Sequence, residues 1–560
     1  MNIFSSNHKT RKPLLCTFPL VLGLMTIPFD AALAQSSHSI PSTADTNTNV
    51  TFSGEPISLE KAVLITLENS PLIKQQIWSV ELAKAGYTMA KGQFDLTTSM
   101  TASANNNRPG PMQMGGQLVN GLGDDDSQNL QLALSKMFRT GIITTLSAGI
   151  RRNDNRYSPM PGPVQSTDNS SSLNLNLTIP LLKGRGRVSA AANETAARLT
   201  SEAGELGFHH QVSQLLLSSI NAYWDYRAAV AKLQIQQDSE QRIKGWVKTA
   251  EDGIVSRYSN NLALAAKKYE AETARLNGYL ADKQRNTIGA TEQVNSAKSA
   301  LVIQMGISSE QVANLGEPSE QFSTDWNSIL AALKQQPMLE KWTADALEKR
   351  LDLQAAKLRL EADSAKLAKA RRDMLPTLDL GFNLGRNAVE LGDGFEPYVD
   401  SLTAEARGTS AGATLTLRYP LGNHIAKGSR DLANASYQTN LIRTNDLSRQ
   451  ISVQVGVDGG MLMRRLQEAV AADRGVQSYI PALDIQYKQA SRNLLENPLV
   501  MFDLLDLEDK LTEALNNQMD SILELAKSIA QLRHNTGTLI TVNGSEKGIT
   551  LNDMTSLPGM

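Results

Sequence analysis

Four sets of side chains in this 560-residue sequence have the types and spacing of chemically active groups. GTSAG, Gly408 to Gly412, matches G-x-S-x-G, in which a serine stands on a sharp turn between a strand and a helix. Here a polar loop precedes Ser410 and strand pattern follows it, so the nucleophile geometry is not expected. His209 and His210 are adjacent. Neighbours on a helix diverge by about 100°, so they read as a polar helix face and not as a chelating i, i+4 pair. KGRGR, Lys183 to Arg187, carries charge for phosphate but only one short glycine pair, and reads better as a basic helix entry beside a membrane rim. Asp503 and Asp506 lie one turn apart, just after a bend at Asn497-Pro498, so both carboxylates face one side of a helix. By spacing alone they read as acidic residues stabilised by the dipole at a helix start. No metal-ligand cluster and no cofactor motif accompany these sets, and no catalytic residue is expected.

The bulk numbers narrow the class of protein further. Lys and Arg total 55 against 57 Asp and Glu, a net charge of -2, which excludes a strongly basic nucleic-acid binder. One cysteine excludes a disulfide framework and a four-thiolate zinc site. Residues 1–34 have the form of a secretory signal peptide: basic Lys9, Arg11 and Lys12, an apolar run from Leu14 to Phe29, and the small-x-small site Ala32-Leu33-Ala34. Cleavage there would remove Cys16 as well. Beyond Ala34 no uncharged apolar run reaches the ~18 residues of a spanning helix. An exported chain without a membrane helix is expected, preceded by a polar leader at 35–56.

Periodicity then divides the remainder into two similar halves. In the first, 57–306, helix pattern leads from Ser58 to Lys91, with Ser70-Pro71 as an internal helix start. Strand pattern follows at 94–104, 128–138, 142–152 and 171–180. The clearest is LNLNLTIP, where Leu173, Leu175, Leu177 and Ile179 face one way and Asn174, Asn176 and Thr178 the other. Alternation alone fits a soluble sandwich or a membrane barrel equally. A long helical hairpin is expected over 182–306. Val212, Leu215, Ser219, Ala222, Tyr226, Ala229 and Leu233 form a seam with small residues, and a turn is placed near Gly253 and Ser259-Asn260-Asn261. A connector spans 307–338. The second half, 339–537, repeats the order: a helix, strands at 376–386 and 411–420, and a helical hairpin over 424–533 bent at Asn497-Pro498. Residues 538–560 are expected to be a flexible tail. Both halves have a strand ending Leu-x-x-Pro-Leu, at Leu177 to Leu181 and Leu417 to Leu421. From Pro180 to Gly253 is 73 residues and from Pro420 to Asn497 is 77, near-equal arms that indicate an internal duplication. The first half carries an additional hairpin at 128–152.

In order and spacing these elements resemble the TolC family of outer membrane efflux proteins over about residues 57–537. The segments that carry the resemblance are ISLEKAVLITLENSPLI, MLPTLDL, NLTIPLL, LRYPLGN and FDLLDLEDKLTEALNNQ. The resemblance implies an α+β membrane protein: a homotrimer in which each chain lends strands to one shared β-barrel in outer membrane lipid and helices to a periplasmic coiled-coil tunnel. It implies a passive exit duct, without cofactor, that docks through a periplasmic adaptor protein with an inner membrane transporter. The hairpin tips, at Gly253, Ser259, Asn260, Asn261, Asn497 and Pro498, would meet the adaptor, and Asp503 and Asp506 match an aspartate pair that rings the periplasmic end. The family's latch between an aspartate of the first hairpin and an arginine of the second finds Asn261 and Leu499 at those positions. With the extra hairpin in the barrel, each chain would supply six strands where the family supplies four. The competing reading is a soluble periplasmic coiled-coil spacer with its strands in a small sandwich.

Overall fold

The computed structural model describes residues 54–107, 112–114, 117–119, 123–157, 164–257, 262–322, 330, 338–392, 395–400, 407–493, 499–543, 546–548 and 554–558. The signal peptide and most of the leader lie outside these residues. Helix α1 (Leu59–Asn69) starts where Ser58 Oγ accepts the Lys61 amide at 3.1 Å, an N-cap worth ~1 kcal/mol. Helix α2 (Pro71–Gly92) follows at once, with Pro71 at its first position, where the missing N–H breaks no bond. The chain then enters strand β1 (Leu96–Asn107), the short strands β2 (Met112–Met114) and β3 (Gln117–Val119), and the long strands β4 (Gly123–Met137), β5 (Ile143–Tyr157) and β6 (Val164–Pro180).

A one-turn helix α3 (Arg187–Ala190) leads into α4 (Ala192–Arg257) and α5 (Leu262–Met305). With 66 residues at ~1.5 Å each, α4 is about 100 Å long. The same order then recurs. Helices α6 (Met338–Lys349) and α7 (Leu351–Arg372) precede β7 (Thr377–Leu391), the short α8 (Phe395–Asp400) and β8 (Arg407–Arg418). The long α9 (His424–Asn493) and α10 (Leu499–Asn535) follow, then a small hairpin of β9 (Thr541–Asn543) and β10 (Glu546–Gly548).

Six strands form one antiparallel sheet in the order β1-β4-β5-β6-β7-β8. The hairpin expected at 128–152 therefore lies within the sheet, between β1 and β6. The long helices pack beyond one margin of it, and the short α8 contacts β5, β6 and β7 at the other. One apolar core joins Trp342, Leu353, Ile451, Val455, Leu462 and Leu532 of α6, α7, α9 and α10. A second joins Ile243, Trp246, Leu276, Leu483 and Leu504 of α4, α5, α9 and α10.

Several expectations need correction. The α4 seam is wider than a single stripe: Leu216, Ile220, Tyr223 and Trp224 are as buried as Val212, Ser219 and Tyr226. The reason is that α4 packs against α1, α2, α5, α7 and α10 together, so it buries more than one face. Gly253 is not in the turn, because α4 continues through it to Arg257. Ser259, Asn260, Asn261, Asn497 and Pro498 lie outside the described residues. The tail is not free along its length either. Met554 and Leu557 are buried, Arg533 donates to the Ser556 and Leu557 carbonyls, and the Trp342 indole donates to the Pro558 carbonyl at 3.1 Å. Buried carbonyls meeting an arginine fork and an indole N–H fix that segment on the core. Ser410 sits inside β8, paired with Gly385, and not on a turn between strand and helix.

Candidate functional site: the sheet faces and the helix junctions

Strand register assembles the site. Residues directly opposite one another project from the same face. One row across all six strands reads Leu96, Lys136, Thr144, Leu177, Phe382 and Ala413. The next reads Thr98, Leu134, Leu146, Leu175, Leu384 and Ala411, and a third begins Met100, Leu132, Ala148 and Leu173. The alternate rows form the opposite face: Thr97, Ser135, Thr145, Asn176, Asn383 and Gly412, then Ser99, Ala133, Ser147, Asn174, Gly385 and Ser410. One face is thus mostly aliphatic, and the other is built of hydroxyls, amides and glycines. From Leu96 to Ala102 the aliphatic rows extend about 20 Å along the strand, close to the ~25 Å band of an outer membrane barrel. Much of this face is uncovered, with Met100, Leu146, Leu173, Leu384, Leu415 and Leu417 all exposed. Among the described residues the outer strands β1 and β8 each leave one edge unpaired.

The tight turn of the β4–β5 hairpin docks at the helix margin of the sheet. Gly141 adopts φ +92°, and a Cβ there would come within 2.2 Å of the Gly184 carbonyl oxygen. Only glycine permits both the turn and that approach. The Gly186 amide donates to the Thr140 carbonyl at 2.8 Å. Arg139 donates twice to Glu194 of α4, at 2.7 and 2.6 Å, and lies over the Phe94 ring. This fork holds the Glu194 carboxyl below its ordinary range. KGRGR is therefore the seat of this turn.

On α10, Asp503 and Asp506 are exposed, while Leu504, Leu505 and Glu508 line the buried face. The structure thus brings the two aspartates to one side, as their spacing implies, and Asp506 also pairs with Lys510 at 2.5 Å. Residues that spacing did not single out tie α10 to the first helix pair. Arg242 of α4 meets Glu508 through a double hydrogen bond of 2.9 and 2.8 Å, and Thr512 links Glu508 Oε1 to Ser239. Lys283 of α5 pairs with Asp509 at 2.9 Å. Tyr279 OH donates to the Leu505 carbonyl at 3.3 Å, and burial, then the bond to Asp509, push that phenol well above its usual value.

The histidines are placed differently from the expectation. His210 is not simply on a polar face: its ring lies 5.3 Å from that of His534, and it faces Asp352 at 3.7 Å. Ser213 bonds His534 Nδ1 at 2.8 Å, and Arg350 grips Asp352 with two hydrogen bonds of 3.0 and 2.6 Å. Burial lowers the His534 pKa to about 4, helped by the positive neighbours His210 and Arg350. Burial lowers His210 as well, against the pull of Asp352. Among the described residues no group of His, Cys, Asp and Glu is arranged to hold a metal, and no helix is long and apolar enough to cross a membrane.

Comparison with known proteins agrees with this geometry. Residues 342–457, from α6 through β8 into α9, match the family described as outer membrane efflux protein. No curated protein matches the chain. Solved structures with this fold include the outer-membrane channel OprN, at 16% identity and TM-score 0.57, covering 86% of this chain and 89% of that one. The outer membrane protein VceC of Vibrio cholerae is 16% identical with TM-score 0.57, over 86% of this chain and 96% of its own. The open state of the MtrE outer membrane channel of Neisseria gonorrhoeae is 15% identical with TM-score 0.54, over 86% and 88%. The fold that these channels share is the fold of this chain.

Proposed function

We propose, from a chain that carries an outer membrane efflux protein domain and folds as those channels do, a passive exit duct with no enzymatic role. The carrying observation is the two-faced sheet: one side is mostly aliphatic, interrupted by Lys136 near one margin and Arg386 further along, and the other carries hydroxyls, amides and glycines across all six strands. In lipid an unpaired strand edge is untenable, so β1 and β8 must find partners. The simplest closure pairs β1 of one chain with β8 of the next. A homotrimer would then form an eighteen-strand barrel from three six-stranded sheets, in the size class that leaves an aqueous lumen. The aliphatic rows would face lipid and the polar rows water. The soluble spacer is not favoured, because it gives no role to an uncovered aliphatic face of this extent.

The same reading makes residues 1–34 an export signal and places the long helices in the periplasm. The recurring order of helices and strands is read as an internal duplication. The ends of the α4–α5 and α9–α10 pairs, near Gly253, Ser259, Asn260, Asn261, Asn497 and Pro498, would meet a periplasmic adaptor that joins the duct to an inner membrane transporter. Asp503 and Asp506, exposed near one such end, would give a trimer six carboxylates around its narrow entrance. The test is fractionation and chemical cross-linking of the full chain, followed by conductance in planar bilayers. The reading expects a trimer in the outer membrane fraction and stable single-channel steps. A monomer in the soluble periplasmic fraction would overturn it.

A further inference from the structure

Beneath the turn of the β4–β5 hairpin is a cavity of about 560 Å³, within the roughly 300–1,000 Å³ of small-molecule sites. Its charged lining is unbalanced: Lys91, Lys136, Arg139 and Arg187 against the single carboxylate of Asp95. Glu194, beside the lining, pairs with Arg139 and is also attracted by Lys91 and Arg187, so two carboxylates face four cations. Lys91, Lys136 and Arg187 form no ion pair among the described residues. Lys91 and Lys136 instead lie over aromatic rings, those of Tyr87 at 4.0 Å and Phe138 at 5.9 Å. Phe94, Met137 and Phe138 complete an apolar wall.

The position of this cavity selects its ligand. Lys136 stands in the same row as Leu96, Leu177 and Phe382, so its stem lies on the aliphatic face and its ammonium at that face's helix-side margin. Leu96 and Phe138 are exposed beside it. Just there the turn is seated on Lys183 to Arg187, and Arg372 of α7 donates to the Arg185 carbonyl at 3.3 Å, adding to the cationic rim. A ligand that fits must join a phosphate to a hydrocarbon chain, with the anion among the cations and the chain along the aliphatic rows.

We infer that this cavity binds the headgroup of an anionic phospholipid from the membrane leaflet nearest the helices, its acyl chain lying along Leu96 and the rows above. This rests on the barrel reading, which puts that margin at the periplasmic leaflet. Basic pockets at such margins recognise anionic headgroups by charge, and the attraction decays within a Debye length of the surface. The ligand would also bind the inserted hairpin to α2 and α3, since Lys91, Lys136 and Arg187 belong to those three elements.

The test uses the full chain, detergent-solubilised, with lipid retention read by native mass spectrometry. Phosphatidylglycerol, phosphatidylcholine and inorganic phosphate are supplied in turn to the native protein and to a Lys136→Gln/Arg187→Gln variant. The expected result is at least tenfold preference for phosphatidylglycerol over phosphatidylcholine, reduced severalfold or more in the variant. Equal retention of both lipids, or a preference that the variant leaves intact, overturns the inference. Displacement of the lipid by equimolar phosphate overturns it in favour of a free-anion site. Conductance is recorded on the same preparations. Normal channels without lipid preference sink the lipid site alone, whereas absence of insertion and conductance in the native protein sinks the duct reading and the lipid site with it.

Discussion

Breaking the bond between Arg242 and Glu508 should loosen the two long helix pairs from each other, and the two possible deletions should differ in cost. The Glu508 side chain is 0% exposed, while that of Arg242 is 31% exposed. Arg242→Met keeps the apolar stem but strands a carboxylate with no cation and no route to water. Such an uncompensated buried charge costs about 3–5 kcal/mol. Glu508→Gln leaves the guanidinium able to hydrate through its exposed third, and the new amide oxygen still accepts one bond. Its cost is the difference between charged and neutral hydrogen bonds, about 1–2 kcal/mol. In the double variant Arg242→Met/Glu508→Met nothing polar is stranded, so it should recover most of the loss of Arg242→Met alone. Native-state hydrogen exchange on peptides containing Arg242 and Glu508 reads these costs locally. Arg242→Met should speed exchange by roughly two to three and a half decades, at 1.4 kcal/mol per decade. If Glu508→Gln proved as costly as Arg242→Met, or the double variant no better than Arg242→Met, burial asymmetry would not govern this junction. Lys283→Met is the comparison: its partner Asp509 is 56% exposed and stays hydrated, so the change should cost less than Arg242→Met.

Acid should destabilise the α4–α10 junction through His534. Its folded pKa of about 4 lies below the ordinary 6.5, so the unfolded chain takes the proton first. Stability is then full above pH 6.5 and falls by up to about 3 kcal/mol as pH drops to 4, with His210 adding loss in the same direction, and denaturant titrations across that window should lose this slope in His534→Gln. Gly141→Ala should detach the hairpin turn, because the new Cβ meets the Gly184 oxygen and φ is positive; faster exchange at Phe138 to Ile142 would register it, and unchanged exchange would contradict the docking. A cysteine introduced at Arg139 should resist labelling by impermeant reagents added outside whole cells, since the turn sits at the helix margin of the sheet. If the duct reading holds, Asp503→Ala with Asp506→Ala should lower cation selectivity in single-channel recordings and leave the stability of the proposed trimer nearly unchanged, because both side chains are exposed.

Local alternation made the sheet legible. Leu173 to Ile179 announces a two-faced strand by itself, and the spacing between such strands located the additional hairpin before any pairing was known. What alternation does not contain is register. That Lys136 shares a row with Leu177 and Phe382 follows only from three successive pairings among four strands. The histidines mark the same limit more sharply. Ser213 and His534 are 321 residues apart, and no local pattern relates them. Judged from neighbours alone, His209 and His210 read as solvated surface, whereas the packing of α4 against α10 sets the half-buried His210 against the buried His534. Glu508 was hidden for the opposite reason, since in an acidic run beginning at Asp503 it reads as one more helix-start charge until α4 covers it.

The inserted hairpin joins these scales. Its length was readable from spacing, but its seat depends on two glycines from different segments meeting, Gly141 in the turn and Gly184 in the loop after β6. On the duct reading, the two strands of this hairpin widen the barrel wall that the helices must meet. The added turn must then bridge from sheet to helix without a helix of its own. Arg139 performs that bridge, reaching from the turn to Glu194 in the first turn of α4. In the other strand-to-helix passages the chain itself makes the connection, from Pro180 through α3 to α4 and from Arg418 to His424 of α9. A hairpin with no covalent helix of its own therefore takes its attachment from a charged fork and a close glycine contact, which is why basic residues gather at that margin and why the cavity lies there.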